Sequence, residues 1–153
     1  MNQQTAHNAY SRANHTVPKT RQVVMLYDGA IRFMKQAIEA IGAKDYETRY
    51  HKLTRVSDIL VGLQACLDFN AGGEAANALY DYYARLDLLV YAVHRSNEIA
   101  ACERIIADLK AMRDVWDRID RGELSPAGGQ AAMASAAAAA GAAPAGEPVK
   151  VSV

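Results

Sequence analysis

The sequence predicts an all-α protein, an antiparallel up-down four-helix bundle, on three observations. Apolar residues recur at spacings of three and four in four successive segments. The breaks between those segments are short, and most are marked by glycine. The strict two-residue alternation of a half-buried strand is absent. Segments of matched length joined by short connections fold as antiparallel neighbours. A long helical hairpin that completes its bundle by dimerising is the weaker alternative.

The first segment runs from about Pro18 to Ile41, with Val24, Tyr27, Ile31, Met34, Ile38 and Ile41 as its stripe. Pro18 suits a first helical turn, where its missing N–H would have no partner anyway, Thr16 is placed to cap it, and Gly42 ends it. The second segment opens at Asp45 as N-cap and carries Tyr46, Tyr50, Leu53, Val56, Leu60, Leu63 and Leu67. It stops near Phe69-Asn70, ahead of the strong breaker Gly72-Gly73. The third starts near Glu74, whose carboxylate favours a helix N-terminus, and lines one face with Ala75, Leu79, Tyr82, Leu86, Leu89 and Val93. Asn97 reads as the break and as the cap of the fourth segment, although Ser96-Asn97-Glu98 would also fit a mild bend. The fourth carries Ile99, Cys102, Ile105, Ile106, Leu109, Met112, Trp116 and Ile119 and ends at Gly122.

The ends differ from this bundle. Residues 1–16 are mostly polar with one isolated aromatic, Tyr10, and read as a flexible segment, residues 17–121 as the bundle, and residues 122–153 as a tail dominated by Ala, Gly, Pro and Ser. An isolated alanine run is marginal as a helix in water, and Gly128, Gly129, Gly141, Pro144, Gly146 and Pro148 interrupt it, so disorder is expected there.

Composition excludes several functions. Seventeen basic and seventeen acidic residues leave no formal net charge, which gives no electrostatic footprint for nucleic acid or an anionic membrane surface. No apolar run approaches the roughly 20 residues that span a bilayer, and the N-terminus lacks the apolar stretch of a signal peptide. Cys66 and Cys102 fit no metal spacing or disulfide framework and read as reduced, buried thiols. His7, His15, His51 and His94 form no His-x-x-His or Glu-x-x-His pair, and no nucleophile elbow, phosphate loop or dinucleotide fingerprint occurs. No enzymatic activity, cofactor or metal is expected.

The apolar stripes are wider than a simple bundle needs. Val23, Leu26 and Ala30 widen the first, and Tyr80, Tyr83, Leu88, Val90 and Tyr91 widen the third. Either the core is crowded, or these side chains form a groove for an amphipathic partner segment. Tyrosine suits such a surface because ring and hydroxyl both serve where water comes and goes.

Five pieces of sequence carry a resemblance. They are Asn8-Ala9-Tyr10; Pro18 followed by Val24-Met25-Leu26-Tyr27-Asp28-Gly29-Ala30; Leu67-Asp68-Phe69 with Gly72-Gly73-Glu74; Leu79-Tyr80-Asp81-Tyr82; and Met112-Arg113-Asp114-Val115-Trp116. In this order and spacing, over about residues 8–119, the chain resembles the flagellin-specific export chaperone of the bacterial flagellum, the FliS family. The resemblance implies a cytoplasmic protein that binds the disordered C-terminal segment of flagellin against apolar grooves. It would thereby prevent premature polymerisation and aid delivery to the flagellar export gate. It also implies that the N-terminal segment, with Tyr10, acts as a lid over part of the binding surface. The rival reading is a helical-bundle structural or adaptor protein that acts through homodimerisation, so a monomer and a weak homodimer both stay open.

Leu26, Tyr27, Asp28 and Gly29 match the strongest family motif. Glycine in mid-helix costs about 1 kcal/mol relative to alanine, so Gly29 marks either a close approach of helix or partner, or plain helix packing. Asp28 either satisfies a buried or partner backbone donor or lies on a solvated flank. Ile31, Leu60, Leu63, Leu79, Tyr82 and Leu86 are candidates to be shared between core and groove, and Trp116 is read as an anchor of the closing helix. Two features depart from the family pattern: Lys19, Thr20 and Arg21 stand where an acidic residue is common, and the alanine-rich extension after Gly122 is an addition. That extension is read as inert rather than as a helix that folds on a partner.

Overall fold

The computed structural model describes residues 19–141, all in helices and short turns: α1 (Lys19–Gly42), α2 (Tyr46–Ala65), α3 (Phe69–Ser96), α4 (Ile99–Asp120) and α5 (Pro126–Gly141). The expected Pro18, Thr16 and Tyr10 contacts lie outside the described residues. Contacts along the helices fix the directions. Arg49 meets Asn97 and Gln64 meets Tyr80, so α2 and α3 run antiparallel. Arg21 meets Asp120 and Asp28 meets Arg113, so α1 and α4 do as well.

Local chemistry sets the breaks. Asp45 caps α2 by accepting from the Thr48 N–H at 3.0 Å and the Thr48 hydroxyl at 2.6 Å. Asp68 accepts from the N–H groups of Asn70 and Ala71 and starts a first turn of α3. Gly73 then kinks the helix at φ 51°, ψ −129°, a conformation reserved for glycine, and the long part of α3 follows. Asn97 is a true break, left-handed at φ 53°. It closes α3, and its side-chain oxygen accepts from Arg49 of α2, whereas α4 starts at Glu98 with no side-chain cap.

Leu53, Val56, Leu60 and Leu63 of α2 share one core with Tyr27, Ile31 and Met34 of α1, Leu79, Tyr82, Tyr83, Leu86, Val90 and Val93 of α3, and Cys102, Ile105, Ile106, Leu109 and Met112 of α4. Three details of the expected stripes change, one being that Ile99 at the start of α4 is exposed. On α3, Tyr83 and Val90 are buried while Leu89 is exposed, and on α2 Tyr46 and Tyr50 face outward. Cys102 is buried as expected, but Cys66 is exposed, because α2 ends at Ala65 and places it in the turn.

The largest departure from the expectation is at the tail. Within the extension expected to be disordered, residues Pro126–Gly141 form a fifth helix beside the four; residues 142–153 lie outside the described residues. Ser125 caps it, its hydroxyl accepting from the Gly128 N–H at 3.0 Å, and Pro126 occupies the first turn. Helix α5 wedges between α3 and α4, which touch each other less than either touches α5. Met133 and Ala137 are buried there. Arg85 of α3 donates to the Ala137 carbonyl at 2.8 Å. A short alanine helix is marginal alone, but packing against two neighbours supplies the missing stabilisation.

The core tyrosines are internally bonded. The Tyr27 hydroxyl donates to that of Tyr83 at 2.8 Å, and the Tyr82 hydroxyl donates to the Asp108 carbonyl at 3.1 Å. Burial raises the pKa of all three, Tyr83 being pushed up to about 12. The folded values lie above the unfolded value of about 10, so this contribution is fully present below about pH 10 and is lost as pH rises through the folded values. Urea midpoints are therefore expected to be level from neutral to about pH 9 and to fall steeply above about pH 10. A Tyr27→Phe/Tyr83→Phe double variant should show a shallower alkaline fall, and an unchanged slope would refute the assignment.

Candidate functional site

Two apolar surfaces remain on the outside of this bundle. The first is a furrow between α1 and α2. Leu26 and Phe33 are two helical turns apart on one side, with Ile59 and Gly62 on the other and Arg55 and Asp58 at the edge, and the mainly apolar space between them is about 250 Å³. Glycine shapes it. A Cβ added at Gly62 would meet nothing within 4 Å, so the furrow is open at that point. Gly29 lies beneath the Ile59 side chain, with 3.6 Å from an added Cβ to Ile59 Cδ1. Towards the N-terminal end of α2 the furrow turns polar, as His51, Lys52, Thr54, Arg55 and Asp58 join Phe33. The Arg32 guanidinium and the Lys52 ammonium lie 5.4 and 5.6 Å from the Phe33 ring centroid, where each is attracted to the π face.

The second surface is the outer side of α3. Tyr80, Ala84, Leu88 and Tyr91 follow one another at spacings of three and four, on the side of the helix nearly opposite the buried stripe. Leu88 is 70% and Tyr91 66% exposed, values usual for polar residues. The aromatic groups are linked along the α2–α3 seam. Phe69 and Tyr80 pack with centroids 6.0 Å apart at one end, and Tyr50 and Tyr91 both lie against His94 at the other. Burial first, and then the neighbouring Arg49, lower the His94 pKa, which favours the neutral ring in this aromatic cluster.

The residues singled out in the sequence divide sharply. Leu26 is exposed and lines the furrow. Tyr27, Leu60 and Tyr82 have no exposed surface, and Ile31, Leu63, Leu79 and Leu86 are buried with them. These seven belong to the core and support the surfaces from beneath. Asp28 is half exposed and pairs with Arg113, Nε to Oδ1 at 2.9 Å, joining two of the five sequence pieces across α1 and α4. Tyr10 lies outside the described residues. Phe33, Ile59 and Gly62 were not singled out; the available signal was the two-turn spacing of Leu26 and Phe33.

Gly29 is buried, yet its nearest neighbour is at ordinary van der Waals distance. The close approach does not require glycine. Gly29→Ala is therefore expected to stabilise the fold by up to about 1 kcal/mol through helix propensity and unfolded-state entropy. Chemical denaturation measures this, and a loss of stability would mean that Ile59 cannot accommodate the methyl group.

The surfaces present apolar area and tyrosine edges. Among the described residues, no group of three or more His, Cys, Asp or Glu is placed to hold a metal ion. No described helix is long and apolar enough to cross a membrane. The model of one protein family, described as flagellar protein FliS, matches residues 1–123. The chain belongs to the FliS family. It is 29% identical to the flagellar secretion chaperone FliS of Campylobacter jejuni over 124 residues, 80% of this chain and 97% of the relative. The FliS of Bacillus subtilis is 26% identical over 78% of this chain and 90% of its own length. That of Vibrio cholerae is 25% identical over 63% and 71%. FliS proteins are chaperones rather than enzymes. The FliS match includes both apolar surfaces and ends before α5.

Proposed function

We propose that this chain binds the C-terminal segment of flagellin, disordered when free, in the cytoplasm, and delivers the subunit to the flagellar export apparatus. The observation that carries this reading is the pair of exposed apolar surfaces on a FliS-family bundle, the furrow at Leu26–Gly62 and the Tyr80–Leu88–Tyr91 stripe. A bound segment, helical against one surface and extended against another, would bury the apolar faces that flagellin needs for its own polymerisation. Ordering such a segment costs about 2–5 kcal/mol of the gross interaction energy, so a chaperone of this type must offer a large apolar area. The N-terminal segment with Tyr10 would cover part of that area in the free protein.

Flagellin polymerisation followed by light scattering tests the reading. An equimolar amount of this chain is expected to suppress filament growth from seeds. Growth at an unchanged rate in the presence of folded chain would contradict it.

A further inference from the structure

The outer side of α3 carries a pattern that is the same in both directions except for the sign of its charges. Counted from Leu88, the residues four positions away are Ala84 and Ala92, and those seven positions away are Asp81 and Arg95. Steps of four and seven return to one face of a helix, so these residues form a single ridge. Leu79, Leu86 and Val90 are buried on the opposite side of α3, which aims Leu88 away from the core. Leu88 is the most exposed large apolar side chain among the described residues. Asp81, Ala92 and Arg95 are exposed as well, and among the described residues neither charge is held in an ion pair.

We infer that this ridge is a self-association surface, on which a second copy of the chain lays its own α3 antiparallel about a two-fold axis at Leu88. The two Leu88 side chains then meet, Ala84 of each copy faces Ala92 of the other, and Asp81 of each faces Arg95 of the other. Two ion pairs flank one apolar contact, and the ridge is complementary to itself, as a two-fold interface requires. Methyl groups at the alanine positions let the helix axes approach closely, and Tyr91 lies beside that contact and extends its apolar area. The charges choose the direction. A parallel pairing would set Asp81 against Asp81 and Arg95 against Arg95, and like charges face to face are strongly disfavoured. A contact limited to one ridge per copy falls below the roughly 1,200 Å² of stable interfaces, so the dimer is weak and depends on concentration. Leu88 and Tyr91 also belong to the stripe assigned to flagellin, so pairing and flagellin binding exclude each other there. That consequence alone rests on the function proposed above.

Sedimentation velocity of the full chain, without flagellin, tests this. A monomer that passes to a dimer as concentration rises is expected. Asp81→Arg and Arg95→Asp should each weaken the dimer at least about tenfold, because either change makes both flanking contacts repulsive. Mixed in equal amounts, the two variants should pair with each other about as tightly as the unsubstituted chain pairs with itself, since every contact between them is again of opposite sign. The doubly substituted Asp81→Arg/Arg95→Asp chain should recover in the same way. These positions are exposed, so circular dichroism should show an intact fold. Leu88→Lys, which sets two ammonium groups against each other on the axis, is an independent probe. A chain that stays monomeric up to high micromolar concentration would overturn the inference. So would a dimer that the single reversals and Leu88→Lys leave unchanged, or one weakened by the reversals that neither mixing nor double substitution restores. A flagellin segment that binds the dimer without separating it would overturn the exclusion, and one that binds neither form would refute the proposed function alone.

Discussion

Truncating Leu60 to alanine is expected to remove about 2–5 kcal/mol of stability while leaving the surfaces of the molecule unchanged. Leu60 has no exposed surface and stands at the centre of the α2 stripe, against side chains of the neighbouring helices. The loss combines the transfer free energy of the deleted carbons with the cavity they leave, and helices pinned at both ends by Asp45, Asn97 and the Arg21–Asp120 contact cannot close that cavity cheaply. The melting temperature should drop by on the order of 10 °C. Leu86→Ala on α3 should behave alike. At a temperature where both variants are folded, their affinity for a flagellin C-terminal segment should stay close to that of the unsubstituted chain. A large affinity loss in a well-folded Leu60→Ala protein would show that this residue reaches the partner, against its burial.

The converse is expected at Leu26. Leu26→Asp places a carboxylate on an exposed position of α1, where substitutions usually change stability by within about 0.5 kcal/mol. In the complex, the same change removes a leucine contact worth about 1.5–3 kcal/mol when fully buried and adds a second carboxylate to a furrow that Asp58 already lines. Affinity for the segment should fall at least about tenfold, which corresponds to 1.4 kcal/mol. Gly62→Trp is an independent probe of the same furrow, since it fills the open space rather than changing its polarity. Isothermal titration with circular dichroism as the folding control measures both. Undiminished affinity in both variants would place the partner elsewhere on the bundle.

These two expectations also mark where sequence reading succeeded and where it stopped. The helices and most of their breaks were legible, because a stripe of period 3.6 and a capping Asp45 are local signals. The assignment of single residues to inside or outside was not. On α3 the apolar surplus wraps so far around the helix that Leu89 and Val90 are equivalent by spacing, and only the neighbouring helices choose Val90 for the core. Leu60 and Tyr82 match the pattern of a shared core and groove, yet the packing buries them wholly. Asp28 had two open readings; its partner, Arg113, lies 85 positions away, beyond any local rule. The fifth helix escaped because a run of alanine has no amphipathic contrast. Ser125-Pro126 was the local signal for its start, and the stabilisation came from α3 and α4, which no composition argument includes.

Uptake of a flagellin segment by the exposed apolar surfaces of this FliS-family bundle is open to direct measurement. The direct measurement is a calorimetric titration of the full chain with a synthetic C-terminal segment of flagellin at several temperatures. A saturable complex of defined stoichiometry with a negative heat-capacity change, the mark of apolar burial, is expected. No heat and no co-elution at high micromolar concentration, from a chain that is folded by circular dichroism, would contradict it. If the chain were then found to be dimeric by sedimentation, the same surfaces would be assigned to a second copy instead.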